Sequence, residues 1–171
     1  MFKPTGTLNP HGAPILYKSI ITNSVVTTVH DSMQIASGFA ALGTTGALVA
    51  GHVVAHSDDR GVGLNTDGTA GAEIASYVNT YTAASDNQTV GRVTVELDIS
   101  KNTIYSADPD AAIGTTTGSD LDGYFIDIAD EESTDESSAV TTTAQYAIRG
   151  VDPEDSGNHL VHVYESLFFG V

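Results

Sequence analysis

The chain has 171 residues and a mass of 17.7 kDa, the size of one domain with a substantial core. It carries 22 acidic and 6 basic residues, a net charge of -16, and neither cysteine nor tryptophan. This composition excludes disulfides and cysteine-based zinc sites. So negative a surface repels phosphate backbones, and we therefore expect no nucleic-acid partner.

The negative charge is unevenly placed along the chain. Residues 1–60 carry three acids and three bases, whereas residues 61–171 carry nineteen acids and three bases. This asymmetry predicts different roles, with the neutral part lying against another protein and the acidic part facing solvent. An acid excess on a Thr- and Ala-rich surface is also typical of proteins from high-salt environments, where salt screens self-repulsion.

Residues 1–14 contain three prolines and two glycines, which disfavours a helix or a central strand. We interpret them as an extended N-terminal arm, either frayed or ordered only on a partner, ahead of a compact β-domain over residues 15–171. No secretory signal is visible, and no window approaches the roughly 18 apolar residues of a membrane helix. We therefore expect a soluble protein with no membrane partner.

Short apolar or β-branched segments recur along the rest of the chain. Residues 15–29 predict one or two strands broken at Thr22–Ser24, and residues 39–46 predict a loop. Residues 47–55 predict an apolar strand in which Gly51 marks a bulge or a close backbone approach.

The clearest strand is predicted over residues 92–100. Apolar and polar side chains alternate there, and the apolar ones share one face: Val93, Val95, Leu97 and Ile99. This alternation predicts a half-buried strand that is wet on its polar face. Further strands are predicted near residues 104–105, 123–129, 139–148 and 159–169, with an acidic solvated loop over 130–138. Such spacing indicates an all-β fold, a single small β-sandwich or barrel-like domain.

The histidines offer weak metal candidates. His52 and His56 would share one face of a helix, but their valine-rich surroundings predict a strand, where four residues span about 13 Å. His159 and His162 lie three apart on a predicted strand and so point to opposite faces. All four are better interpreted as structural.

The aspartates near residues 108–122 are candidate calcium ligands. No frame of the EF-hand loop fits: with Asp120 first, Phe125 stands where the glycine belongs, and with Gly123 as that glycine the first position is Gly118 and the twelfth is Ala129. A looser site remains open that would use Asp108, Asp110, Asp120 or Asp122. The alternative is that these aspartates cap their own turns.

No local signature of catalysis is present. The chain has neither a G-x-S-x-G elbow nor a phosphate-binding G-x-x-x-x-G-K-[ST] loop, so we expect no enzyme, no catalytic residues and no cofactor. The C-terminal residues are unusually apolar for a terminus: Leu167, Phe168, Phe169 and Val171. They either fold back on the core or form a subunit contact.

Two stretches resemble the head decoration (cement) proteins of tailed viruses. GALVAGHVVAHSDD, from residue 46, is similar to their apolar strand with a central glycine. RVTVELDISKNTIYSADPD, from residue 92, followed by GSDLDGYFIDI and QYAIRGVDPEDSGNHLVHVYES, is similar to their later half. The resemblance spans about residues 40–171 and is one of pattern, without an invariant motif.

The resemblance implies a small β-domain, commonly a homotrimer, on the outer surface of the capsid of a virion. There it would hold neighbouring major capsid protein subunits together. Two alternatives remain open. The first is a tail-tube or head–tail virion protein. The second is an extracellular carbohydrate- or calcium-binding module whose stacking faces would be Tyr77, Tyr81 and Tyr124.

Overall fold

The computed structural model describes residues 1–9, 12–58, 80–90, 93–111, 123–139 and 144–169. Its regular elements are almost all strands, so the predicted all-β class is confirmed. The strands, in chain order, are β1 (Lys3–Thr7), β2 (Leu16–Ile20), β3 (Val26–Thr28), β4 (Ser32–Ala36), β5 (Phe39–Leu42), β6 (Gly51–Asp58), β7 (Thr80–Thr82), β8 (Val93–Asp98), β9 (Thr103–Pro109), β10 (Phe125–Ile126), β11 (Ser133–Thr134), β12 (Tyr146–Val151) and β13 (His159–Val163). A four-residue helix, α1 (Asn87–Val90), and a single 3-10 turn (Glu136–Ser138) complete the described elements.

Two larger sheets form an open sandwich. The six-stranded sheet has the order β1-β9-β13-β12-β10, with β11 pairing in parallel with β9, and the five-stranded sheet has the order β2-β8-β6-β4-β5. β3 and β7 make a separate antiparallel ribbon. Of the two architectures that the sequence predicts, the sandwich is the one observed, since the sheets do not close into a barrel.

β8 lies inside the five-stranded sheet, between β2 and β6. Val95 and Leu97 are fully buried, as the alternation predicts. The prediction that the other face is wet is wrong, because Thr94 is 8% and Asp98 4% exposed. The six-stranded sheet covers Asp98 and brings the hydroxyl of Tyr105 to 3.3 Å from its carboxylate.

The core between the two sheets is aromatic. The ring of Phe2 stacks on that of Tyr146 with 5.1 Å between centroids, and both side chains are fully buried. From the five-stranded sheet, Ser32 Oγ and His52 Nε2 lie 2.8 and 2.9 Å from the Tyr146 hydroxyl oxygen. One tyrosine hydroxyl therefore links the two sheets across the core.

A second apolar cluster occupies the opposite face of the five-stranded sheet. Val53, Val95 and Leu97 of this sheet pack there with Ala83, and the partly buried Tyr81 of β7 lies against them. The β3–β7 ribbon thus covers a face that would otherwise be exposed to water.

The prediction of a loop over residues 39–46 is wrong for its first half, because Phe39–Leu42 form β5. β4 and β5 form a hairpin closed by Ser37 and Gly38, whose φ angles are 51° and 86°. Positive φ at both central residues is the type I′ geometry that suits the twist of an antiparallel pair. Because two of the four residues in the segment FAAL are alanines, its sequence lacks the β-branched pattern that predicts a strand.

Two other local predictions are confirmed. The break at Thr22–Ser24 separates β2 from β3. Gly51 is a point of close backbone approach, since a Cβ atom there would lie 2.5 Å from the carbonyl oxygen of Asp98. A register shift follows between Val53 and Ala55.

The N-terminal segment is extended and lies on the domain in the isolated chain. β1 pairs with β9 at the edge of the six-stranded sheet, where Pro4 and Gly6 are tolerated. Phe2 is a core residue. Residues 1–9 therefore need no partner protein to be ordered, and removing residues 1–14 would remove part of the core.

Candidate functional site

His52 and His56 point to opposite faces of the five-stranded sheet. The bulge that follows Val53 places His52 opposite Asp98, toward the six-stranded sheet. It places His56 opposite Val95, on the face covered by the β3–β7 ribbon. The i, i+4 spacing therefore brings no two imidazoles together for a metal ion.

Each of these histidines has a hydrogen-bonding partner in the core. Nε2 of His52 lies 2.9 Å from the Tyr146 hydroxyl oxygen, and Nε2 of His56 lies 2.8 Å from Thr27 Oγ1. Burial lowers the pKa of His52 to about 3, so its ring is neutral at physiological pH. Both side chains act as polar links within the packing.

His159 and His162 are also buried and separate. His159 Nε2 lies 2.8 Å from Thr134 Oγ1, whereas Nδ1 of His162 accepts a hydrogen bond from Arg149 Nε at 3.3 Å. Burial lowers the pKa of both imidazoles to about 4, with the nearby Arg149 guanidinium adding to the effect at His162. These contacts tie β13 to β11 and β12.

The densest polar network lies between the two large sheets. Asp98 accepts hydrogen bonds from Thr103 Oγ1 at 2.6 Å, from the Tyr105 hydroxyl at 3.3 Å and from the Ser100 backbone N–H at 2.9 Å. A carboxylate beside hydroxyls is a combination that catalytic sites use. Here the four side chains are 2–8% exposed, so their contacts join β8 to β9 and leave no opening for a substrate.

Most of the acidic loops that the structure describes are organised as capped turns. In each, a carboxylate oxygen accepts a hydrogen bond from the backbone N–H two residues further along the chain. Four aspartates do this: Asp130, Asp135, Asp152 and Asp155. Their side chains therefore stabilise the loops that carry them.

The four aspartates considered as calcium ligands divide into two pairs: Asp108 and Asp110, exposed at the end of β9, and Asp120 and Asp122, outside the described residues. Asp110 groups instead with Asp135 and Glu136, whose carboxylate oxygens lie within 4.8 Å of one another. Asp110 already accepts the Glu136 backbone N–H, and Asp135 caps its own turn. These backbone bonds account for the closeness of the three acids.

The tyrosines considered as stacking faces for a sugar lie against the cores. Tyr81 packs against the cluster under the β3–β7 ribbon, with its ring centroid 6.1 Å from that of His56. Tyr124 packs against the cluster between the sheets. Tyr77 lies outside the described residues.

The C-terminal aromatic residues meet β2 at the surface. Phe168 is 37% exposed, and its ring centroid lies 4.7 Å from that of Tyr17. Leu16, the neighbour of Tyr17 in β2, is 55% exposed. Phe169 is 49% exposed and lines a groove of about 500 Å³ together with Leu8 and residue 15.

We refer to this surface as the apolar face. Tyr17 and Phe168 are in contact, and Leu8, Ile15 and Phe169 line one groove. With the chain neighbours Leu16 and Leu167, seven large side chains here are 37–55% exposed: Leu8, Ile15, Leu16, Tyr17, Leu167, Phe168 and Phe169. β2 is the edge strand of the five-stranded sheet, no described strand pairs with the outer side of Leu16–Ile20, and the next residue, Ile21, makes a parallel bridge with Ala40 of β5. The face therefore offers apolar area beside a strand edge that β5 meets at its C-terminal end.

The apolar face is built from acid-free sequence. Residues 1–30 and residues 166–171 contain no aspartate or glutamate, although the chain has 22 of them. The acid-free sequence carries Lys3 in β1 and Lys18 in β2, and Lys101, whose charge interacts with that of Glu165, lines the groove. In a protein of charge -16, the segments that build this face thus add no carboxylate side chain of their own to oppose a partner.

Of the two segments that form this surface, the sequence singles out only the C-terminal one. The apolar terminus at Leu167–Phe169 stood out as unusual, but Ile15–Tyr17 was interpreted only as part of a strand. Whether β2 is central or at an edge depends on which strand pairs with it, and no local pattern carries that information.

No protein-family model, curated protein or solved structure matches this chain. Within the described residues, no helix has the length and apolarity needed to cross a membrane.

Proposed function

We propose that the protein is a structural component of a virion that binds the outer surface of the capsid without catalysing a reaction. In this proposal it holds neighbouring subunits of the major capsid protein together. The observation that carries the proposal is the apolar face, seven exposed large side chains from acid-free segments of a strongly acidic protein. An exposed apolar patch of this kind marks a protein contact.

The size of the face sets the strength of one contact. Completing the burial of a side chain that is about half exposed contributes roughly 1 kcal/mol, so seven such side chains offer about 7 kcal/mol before the entropy of association is subtracted. One face therefore binds weakly alone. A homotrimer that engages three faces at once would bind a regular shell far more tightly through effective concentration.

The outer edge of β2 supplies directionality. An extended segment of a capsid subunit could pair with Leu16–Ile20 through backbone hydrogen bonds, while Leu16 and Tyr17 bury against it. The aspartate-capped loops are solvated and would face outward, where repulsion keeps assembled particles apart. The resemblance of residues 40–171 to head decoration proteins supports the same arrangement.

A co-sedimentation experiment tests the proposal. Capsids of the virus that carries this protein are incubated with the wild type, with Leu16→Asp and with Phe168→Asp, and the bound fraction is titrated. The matched control is Val26→Asp, because Val26 is 49% exposed on the β3–β7 ribbon. We expect each face variant to lose about tenfold or more in affinity, since it removes apolar contact and buries a charge.

The control should bind as the wild type does. If both face variants bind capsids as tightly as the wild type, the apolar face is not the contact. A tail-tube or head–tail role would use the same face, and it would be recognised by binding to tails in place of empty shells. Light scattering adds a second readout, because a protein that is strictly monomeric both alone and with capsids contradicts the trimer.

A further inference from the structure

β1 is held to the domain mainly by its backbone. All five of its side chains are exposed, and its pairing with β9 is interrupted by a register shift between Pro4 and Gly6. Proline removes a backbone donor, and glycine weakens a strand. β1 contributes no buried side chain of its own.

The anchor of the segment is Phe2, the residue before β1. Its side chain is fully buried, with ring centroids 5.0 Å from His52, 5.1 Å from Tyr146 and 6.5 Å from Tyr105. If β1 left, β9 would expose an unpaired edge, and an aromatic-lined cavity would open beside it. The segment that fits this vacancy must bring an aromatic ring followed by an extended strand.

The Asn102 side chain fastens the described residues of the connection that follows β1. Asn102 Oδ1 accepts the Asn9 backbone N–H at 2.7 Å, and its Nδ2 donates to the carbonyl oxygens of Asn9 and Gly12. Two backbone hydrogen bonds lie beside these, from the Leu8 N–H to the Asn102 carbonyl oxygen and from the Gly12 N–H to the Asn9 carbonyl oxygen. A Cβ at Gly12 would force the Asn102 amide to move. The closed path of the terminus thus depends in part on the Asn102 side chain.

We propose that residues 1–7 are exchanged between copies of this chain, so that Phe2 and β1 of one copy occupy the aromatic site and the β9 edge of a second copy. The contacts within the acceptor are the same in the closed and exchanged forms. The balance therefore depends on the turn at residues 8–12 and on concentration, with closure favoured below the effective concentration of the tethered strand, about 1 mM for short linkers. No capsid is needed, so this inference stands apart from the proposed function.

Cysteine pairing tests the exchange directly, because the natural chain has no cysteine. Gly6 and Ile104 are register partners, and a Cβ at Gly6 meets no atom within 4 Å. Directly opposed residues in an antiparallel pair are close enough for a disulfide. Gly6→Cys and Ile104→Cys are made on separate chains, mixed at about 1 mM, the concentration at which exchange competes with closure, warmed briefly and oxidised.

We expect the mixed pair to form at least tenfold more covalent heterodimer than a control mixture of Gly6→Cys with Val26→Cys. Val26 is 49% exposed, more than the half-buried Ile104, but lies outside the β1–β9 pairing. Equal yields in the two mixtures would overturn the proposal.

A locked chain provides the second measurement. The double variant Gly6→Cys, Ile104→Cys, oxidised at low concentration, closes the disulfide within one chain and cannot exchange. It should stay monomeric at concentrations where the reduced form associates. If the locked chain associates as readily as the reduced one, the exchange is not what joins the copies.

A substitution in this turn should change the heterodimer yield in the opposite direction, toward more exchange. Asn102→Ala removes the side chain that fastens the closed path, so it should increase the heterodimer yield about tenfold. A yield unchanged or lowered by Asn102→Ala would contradict the role assigned to this turn.

Discussion

Substituting Phe2 by alanine removes a core side chain that sits one residue from the start of the chain. The ring is fully buried and contacts Tyr146, His52 and Tyr105, so it links β1 to both large sheets. Terminal residues of most domains are dispensable. This one is predicted to be among the most costly to change.

The expected cost follows from the geometry. Truncating a fully buried phenylalanine costs about 3–5 kcal/mol, through lost apolar burial and the cavity left behind. The stacked contact with Tyr146 places the value toward the upper end, because aromatic pairs add about 0.5–1.5 kcal/mol beyond burial. Against a total stability of about 5–15 kcal/mol, such a loss leaves the fold marginal.

Urea unfolding followed by tyrosine fluorescence measures this loss. Phe2→Ala should lower the midpoint with little change in slope and reduce the melting temperature by about 10 °C. Lys3→Ala is the matched control, since the Lys3 side chain is exposed on β1, and it should change stability by less than about 0.5 kcal/mol. A loss below about 1 kcal/mol for Phe2→Ala would refute the placement of the N-terminus in the core.

Two further substitutions or conditions probe the buried polar groups. Asp98→Ala leaves the donors on Thr103, Tyr105 and residue 100 unpaired, and should cost about 3–5 kcal/mol in urea unfolding; a cost under 1 kcal/mol would contradict the network. Stability should also fall as the pH drops below 6.5. Three histidines have folded pKa values of about 3 to 4, below the unfolded 6.5: His52, His159 and His162. Each therefore contributes stability that is complete above pH 6.5 and is lost below it. Asp31 opposes them, because burial raises its pKa to about 7, and it adds stability as the pH falls toward 3.8. From pH 6.5 to 5 each histidine removes about 1.6 kcal/mol and Asp31 returns about 1.9 kcal/mol, so the net loss is about 3 kcal/mol. Unfolding midpoints that stay level or rise over that interval would contradict it.

The strand over residues 92–100 was predictable because alternation is a local property. The burial of its polar face was not, since it depends on the second sheet lying over Asp98. The same holds for Phe2, whose burial depends on pairing between β1 and β9, a hundred residues apart in sequence. Contacts of this range leave no trace in a local window.

Two local features of the structure differ from what their sequence patterns predict: the β4–β5 hairpin and the faces of His52 and His56. The Ser37-Gly38 pair between MQIA and FAAL fits a two-residue hairpin, and a strand pattern with larger side chains would have revealed it. A strand already predicts that His52 and His56 lie apart, but their placement on opposite faces could not be foreseen, because it depends on the bulge between them.

The candidate surface was predictable in composition but not in assembly. The neutral sequence over residues 1–60 predicts contact with another protein, and the apolar C-terminus leaves open either packing on the core or a subunit contact. That they meet is a consequence of topology, which brings Tyr17 of β2 beside Phe168. Edge position is likewise a property of the whole sheet.

The central claim, that this domain is an adhesive component of a capsid surface, is tested most directly by imaging purified particles that carry the protein. At low resolution, particles with and without it should differ by density on the outer shell between major capsid subunits, repeated around (quasi-)threefold positions, with β2 and Phe168 toward the shell. Density confined to the tail, or particles that lack the protein altogether, would contradict the account.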